Sequence, residues 1–507
     1  MPFPSTGCQT CRQRRIKCDG ELPRCQRCQK SKRTCSGTRA EPGCSLIHLE
    51  NSYASGATKR PRGPRSTRTV ESIPQLPSTD LETRATTYYY NHHLHAIEDS
   101  LDIMRTVADD FLTVWKFRPD CEILSLAGSC MALAVFSRTQ SHPPAAVEAS
   151  LKYERLLRST HQEILSLNAE NIDTCLIAIF FMGRYEGAVF SPEDDNPKVP
   201  IIFAMRSFRH HEGAISVLKH WKECQSHRSA PTDVIKHTRR GLIRSALLRN
   251  APVPDWLMEG SLFGEHGLEL EYDRIHTRIA NLRHRLGTLL CGKPRLSQES
   301  CSIAEEFNTE AKELDKSLQQ WKKHLPTEWN YQRHTLPVLR PCPSQNFYSS
   351  VVYSYANPAY GAVWCKYFAT RMLINSTRLQ ILAFIEPSPI HSTNQQKSQA
   401  LSHMRKMGNG LASSIPFCFE RFSVTQNPES SDDVSITLNI HEDIKPYNAS
   451  LVLWPLTIAT SIGSVERELR LWFRSELARV GKITGFGIAE CANTPSWPIN
   501  KLGFDKS

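Results

Sequence analysis

The stretch CQTCRQRRIKCDGELPRCQRCQKSKRTC, residues 8–35, decides how this chain is read. Its cysteines fall at Cys8, Cys11, Cys18, Cys25, Cys28 and Cys35, so the pattern Cys-x2-Cys-x6-Cys occurs twice, with six residues between the halves. A structural zinc takes four ligands in a tetrahedron, and a three-cysteine half cannot complete a site. Six thiolates serve two zincs only if two of them bridge. The duplication makes the bridging pair equivalent residues: Cys8 with Cys25, Cys11 with Cys28, or Cys18 with Cys35. The spacing therefore predicts a binuclear cluster holding two zinc ions. A disulfide-stapled miniprotein would want a secretory signal, and a four-cysteine ribbon would leave two thiols spare and waste the duplication.

Six thiolates and two divalent cations sum to a charge of about −2 in a peptide too short to bury it. Basic side chains must offset that charge. Arg12, Arg14, Arg15 and Lys17 stand between the second and third cysteines, and Lys30, Lys32 and Arg33 occupy the matching stretch of the second half. They favour the thiolate form and leave a positive outer surface.

The whole chain has 507 residues and a formal charge of +11, and residues 1–70 hold 15 Lys or Arg against 4 Asp or Glu. The N-terminal segment thus carries the entire excess, and the remainder balances at zero. A basic head on a neutral body fits a polyanion partner, nucleic acid before an anionic membrane. A zinc module that only grips other proteins, the competing reading, has no need to concentrate the charge this way. The opening MPFPSTG has no apolar core of a signal peptide, and no apolar run reaches the ~18 residues of a spanning helix. An intracellular, non-membrane protein is expected, and the eleven cysteines outside the cluster read as reduced, buried thiols.

Residues 36–84 are rich in Ser, Thr, Pro, Gly and Arg and read as a flexible linker. Lys59, Arg60, Arg62, Arg65 and Arg68 form a basic stretch suited to phosphates or to nuclear import. From about residue 85 the pattern turns helical. Ala311, Leu314, Leu318, Trp321 and Leu325 recur in three- and four-residue steps until Pro326, and Val465, Leu469, Trp472, Phe473, Leu477 and Val480 form a second apolar face. The organisation expected is a cluster module at 1–40, a linker at 41–84, and a large all-α domain at 85–485, folded as two packed lobes.

The segment 8–35 resembles the fungal binuclear zinc cluster of the galactose-regulon activator class, down to the basic run before the third cysteine and Pro23 two residues before the fourth. The resemblance implies that Cys8 and Cys25 bridge, one zinc taking Cys8, Cys11, Cys18 and Cys25 and the other Cys25, Cys28, Cys35 and Cys8. It implies a transcription regulator acting in the nucleus on double-stranded promoter DNA. It also implies that the short helix after Cys11 enters the major groove with Arg14 and Arg15 at the base-reading positions. An Arg fork matches guanine O6 and N7, hence an expected guanine-rich half-site. Lys17, next to Cys18, is placed for a phosphate. The helical body resembles the fungal-specific regulatory domain through His211-Glu212-Gly213-Ala214-Ile215 with Leu218, Pro254-Asp255-Trp256, residues 371–381, Ser413-Ser414-Ile415-Pro416 and Trp454-Pro455-Leu456. That likeness implies co-regulators or a metabolite at the body. The dimerising coiled coil of many relatives is missing, since residues 36–84 lack apolar heptads, so a homodimer is not expected from this segment.

Other residues carry less. His92, His93 and His95 lack a Cys or carboxylate at ligand spacing, and His211 falls in the apolar stripe Ala204, Phe208, Ile215 and Leu218. Asn375-Ser376-Thr377 and Asn448-Ala449-Ser450 match glycosylation acceptors without a secretory route to use them. No nucleophile elbow, metalloprotease helix, phosphate loop or dinucleotide fingerprint occurs, and no catalysis is expected.

Overall fold

A computed structural model describes residues 8–21, 24–35, 80–94, 101–190, 199–224, 230–292, 298–336, 342–385, 391–426, 434–495 and 497. The basic stretch 59–68, and His95, lie outside these. The chain divides into two units, Met1–Ser78 and Thr79–Ser507.

The first unit is built on two five-residue helices, α1 (Gln9–Gln13) and α2 (Gln26–Lys30), one per repeat. Each is followed seven residues after its first cysteine by a left-handed residue, Arg15 at φ 55° and Lys32 at φ 48°. The sequence duplication is thus also a duplication of backbone conformation.

The second unit begins with α3 (Leu81–His92). Its start falls inside the stretch assigned from sequence to the linker. Asp80 caps it, its carboxylate accepting from the Glu82 and Thr83 amides at 2.7 and 3.2 Å, an N-terminal signal followed by too few large apolar residues to register as a periodic run. The unit continues through α4 (Val107–Phe117), α5 (Glu122–Thr139), α6 (Pro143–Ile164), α7 (Ile172–Val189), α8 (Val199–Cys224), α9 (Asp233–Arg249), α10 (Gly267–Gly292) and α11 (Gln298–Lys323). After two short strands come α12 (Pro358–Ile385) and α13 (His391–Cys418), then two more strands, α14 (Pro446–Leu451), α15 (Leu453–Ser461), α16 (Arg467–Thr484) and α17 (Gly487–Glu490).

Two helices are buried on nearly every side and act as posts. Every residue of α5 from Ile123 to Phe136 is buried except Ser125, and α3, α6 and α7 pack around it. In α12 the buried run extends from Gly361 to Arg378, enclosed by α10, α11, α13 and α15. One continuous apolar core runs from Ala85 to Trp497 through both posts. The two lobes expected from chain length are therefore one body, and it continues past residue 485. Its described helices include none long and apolar enough to cross a membrane.

Both predicted stripes are inward faces: Leu314, Leu318 and Trp321 are buried on α11, which stops at Lys323 ahead of Pro326, and Leu469, Phe473 and Leu477 are buried on α16. The all-α expectation needs one addition. Strands β1 (Gln332–Thr335) and β2 (Val351–Ser354) pair antiparallel, as do β3 (Phe422–Gln426) and β4 (Val434–Leu438). They close a small satellite core of Leu336, Phe347, Val352 and Phe422.

Candidate metal centre and nucleic-acid interface

Among its described residues the cysteine-rich unit has almost no aliphatic interior; Ile16 is an exposed side chain, and the buried ones are Cys8, Cys11, Cys25 and Cys28. What converges is sulfur. The Sγ atoms of Cys8, Cys11, Cys18 and Cys25 form one group and those of Cys8, Cys25, Cys28 and Cys35 a second, each within 4.8 Å. Cys8 and Cys25 belong to both. Their sulfurs are 3.7 Å apart, Cys8 and Cys28 are 3.7 Å apart, and Cys11 and Cys25 3.6 Å. A tetrahedron of ~2.3 Å zinc–sulfur bonds has edges of about 3.8 Å, so the donor type, number and spacing all fit two zincs sharing one edge.

Backbone amides hold the sulfurs in place, in matching pairs. The Cys11 N–H donates to Cys8 Sγ at 3.4 Å, and the Cys28 N–H to Cys25 Sγ at 3.4 Å. Ile16 N–H reaches Cys11 O at 3.1 Å, and Arg33 N–H reaches Cys28 O at 3.0 Å, closing the two left-handed turns alike. The Cys8 N–H donates to Cys18 Sγ at 3.3 Å. That amide and the Gly20 amide lower the Cys18 thiol's pKa, the direction metal ligation requires.

Contacts that the sequence did not announce clasp the halves together. Thr10 Oγ1 donates to Thr34 O at 2.9 Å, Arg14 Nη1 to Ser31 Oγ at 3.2 Å, and the Gln26 amide to the Asp19 carboxylate at 3.0 Å. Hydroxyls and single carboxylates at such positions give no periodic signal, which is why spacing alone missed them.

Residues 6–43 match the model of the fungal Zn(2)-Cys(6) binuclear cluster domain. This chain carries that domain at its N-terminus. That domain is a two-zinc unit, and the six cysteines gather within it. Similar stretches occur in the Transcription activator AMTR1 of Alternaria alternata, 43% identical over 51 residues, covering 10% of this chain and 6% of that protein. An uncharacterized transcriptional regulatory protein of Schizosaccharomyces pombe is 66% identical over 32 residues, covering 6% of each chain. White-opaque regulator 2 of Candida albicans is 59% identical over 32 residues, covering 6% of this chain and 7% of its own length. The likeness thus spans less than a tenth of each relative. No solved structure matches the chain.

Within the binuclear cluster domain, the basic residues singled out from sequence lie on one short stretch, with a correction. Helix α1 ends at Gln13, so Arg14 and Arg15 follow it rather than sit on it. Arg14 is in the turn, its amide bonded to Thr10 O at 3.3 Å, and Arg15 is the left-handed residue that ends the helix. A C-terminal reversal so soon after Cys11 is dictated by the need to bring Cys18 back to the sulfurs. Arg14, Arg15 and Lys17 are all exposed.

In the helical body His92 and His93 lie as the sequence suggests, on a helix surface beside aromatic rings. His92 is exposed, while His93 stacks on Tyr89 at 5.3 Å and burial lowers its pKa to about 3. A group not foreseen is Asp102, Asp233 and His237, close enough to share a cation. Protein cations already fill it: Lys236 Nζ lies 2.9 Å from Asp102 and 2.7 Å from Asp233, and Arg240 Nη2 lies 2.6 Å from Asp102. His237 Nδ1 is 2.7 Å from Asp110. Burial opposes the imidazolium, but Asp102 and Asp110 outweigh it and raise the His237 pKa. Asn375, a glycosylation match, is buried and donates to Asp315 at 3.1 Å.

Proposed function

We propose that this protein is a sequence-specific DNA-binding transcription regulator of RNA polymerase II genes, working in the nucleus through its N-terminal cluster. In this reading one zinc is held by Cys8, Cys11, Cys18 and Cys25, the other by Cys25, Cys28, Cys35 and Cys8. The observation that carries it is the pair of sulfur tetrads with Cys8 and Cys25 in common, set behind an exposed basic turn. The ions supply cross-linking, which a unit without an aliphatic core needs in order to fold. The protein's own residues supply recognition. Arg14 and Arg15 project from the end of α1 into the major groove of double-stranded promoter DNA and take guanine O6 and N7 of a guanine-rich half-site, while Lys17 neutralises a phosphate. No catalytic step is assigned. The concentration of the whole +11 charge in the first 70 residues supports DNA over a protein-only scaffold.

Metal analysis of the full chain combined with selection from random duplexes tests this. Two zincs per chain and enrichment of a guanine-rich motif are expected. One zinc at saturation in reducing buffer removes the shared-edge assignment, and binding without sequence enrichment removes base reading.

A further inference from the structure

The helical body holds a partly open cavity of about 440 Å3 between α3, α4, α7, α9, α15 and the segment around Trp497. That volume lies within the ~300–1,000 Å3 range of small-molecule sites. One face of α9 forms a wall: Thr238, Gly241, Leu242, Ser245 and Leu248 follow one another at helical spacing along it. A methyl placed on Gly241 would meet no atom within 4 Å, so the helix presents its bare backbone to open space. The rest of the lining is largely apolar, with Leu176, Ile179, Phe180 and Met131 among it.

Set in this apolar wall are donors without acceptors. Thr238, Ser245, Trp454 and Trp497 line the cavity, and their Oγ1, Oγ and Nε1 atoms are shut off from solvent with no hydrogen-bond partner among the described residues. What points to an anionic guest is the charge. Arg184, Arg244 and Lys366 line the cavity, and Asp109 is the one carboxylate among the described lining residues. Asp109 is already engaged, accepting from the Thr106 amide at 2.7 Å and its hydroxyl at 3.0 Å as a helix cap. Lys366 donates to Ile103 O at 2.7 Å, and Arg184 lies over the Phe486 ring. Arg244 has no hydrogen bond or ion pair among the described residues; its neighbours Arg240 and Glu265 are bound to each other. Desolvation, then Arg240, hold its pKa down to about 10, against weaker attraction from Tyr272, Glu265 and Asp109.

We propose that the body binds one small amphipathic carboxylate in this cavity, its anionic head on Arg244 and its apolar part along Leu176, Phe180 and Trp454. A carboxylate pairs with a guanidinium that has no hydrogen bond or ion pair among the described residues and that cannot release its proton near neutral pH. A neutral apolar molecule would fill the volume and leave the cation unpaired. The proposal concerns the body alone and stands whether or not the cluster reads guanine.

The test titrates the full-length chain by calorimetry with decanoate and with 4-phenylbutyrate, each beside its neutral primary amide. Saturable one-to-one binding of at least one carboxylate, tighter than its amide, is expected. Arg244→Gln should weaken the carboxylate by about tenfold or more while leaving the amide within about twofold, and Arg244→Lys should recover part of the loss. Gly241→Phe, which fills the space while removing a helix glycine, should abolish binding of both with the thermal transition retained. The proposal is overturned if neither carboxylate binds, if Arg244→Gln weakens acid and amide alike, or if a folded Gly241→Phe binds as before.

Discussion

Arg15 is where backbone and recognition meet. Its left-handed φ of 55° carries a side-chain penalty of about 1–2 kcal/mol that glycine would avoid, set against the ~0.4–1 kcal/mol by which glycine loosens the unfolded chain. Arg15→Gly should therefore leave the zinc-loaded unit as stable as before or slightly more so, while Arg15→Ala keeps the strain. Both should lose preference at one or two half-site positions, worth ~1–3 kcal/mol. Lys17→Ala should instead lower affinity for every sequence and reduce the salt slope by about one. Binding to matched and mismatched duplexes across a salt series separates these; equal losses on all sites in both Arg15 variants would refute base reading. Spacing made the six cysteines legible at this scale, because ligand number is arithmetic. It left the bridging pair open among three, and the choice depends on which sulfurs the two left-handed turns bring inward. Those turns fall on Arg and Lys, residue types with no preference for that conformation, so nothing in the sequence flagged them.

Helix α9 joins the 3-10 turn Asp102–Met104 and α4 through His237, which bonds Asp110 and lies 3.3 Å from Asp102, with Lys236, Arg240 and Asp233 beside it. The folded-state pKa of His237 is raised. Its contribution is accordingly complete below the unfolded value of about 6.5 and is lost as pH rises through the folded value. Asp102, held well below the usual carboxylate range despite burial by His237 and Arg240, acts oppositely, losing its contribution only in acid. The depressed His93, His276, His334 and His403 act the other way and are common to both chains, so the prediction is a difference: His237→Gln should be less stable than the native chain, by a gap in urea midpoint that narrows from pH 6 to pH 8. An unchanged slope in His237→Gln would exclude this histidine as the source. Such a link joins residues 102, 110 and 237 and has no periodicity to betray it, unlike the stripes of α11 and α16, which their apolar spacing located. The strands β3 and β4 also escaped, being five residues each and lacking an Asn-Gly or Asp-Gly turn.

At the scale of the whole molecule, charge and oligomeric state are coupled questions. The fragment 1–84 should sediment as a monomer, since residues 36–84 offer no apolar seam, and any pairing of full-length chains must then come from the helical body. A stable dimer of the fragment would contradict this. The division into a cysteine-rich head and a helical body was legible because composition changes abruptly between them. That the body is one unit was not, because α5 and α12 are buried on nearly every side and show no single apolar face from which a partner could be inferred.

The repeat of 17 residues that carries Cys8 onto Cys25 also carries Arg15 onto Lys32 and Ile16 onto Arg33. A peptide with one such repeat holds three thiols and could complete two shared-edge sites only by meeting a copy of itself, at a yield set by mass action. Tandem joining fixes the copy at a high effective concentration. Assembly of the head then no longer depends on how many molecules the cell makes.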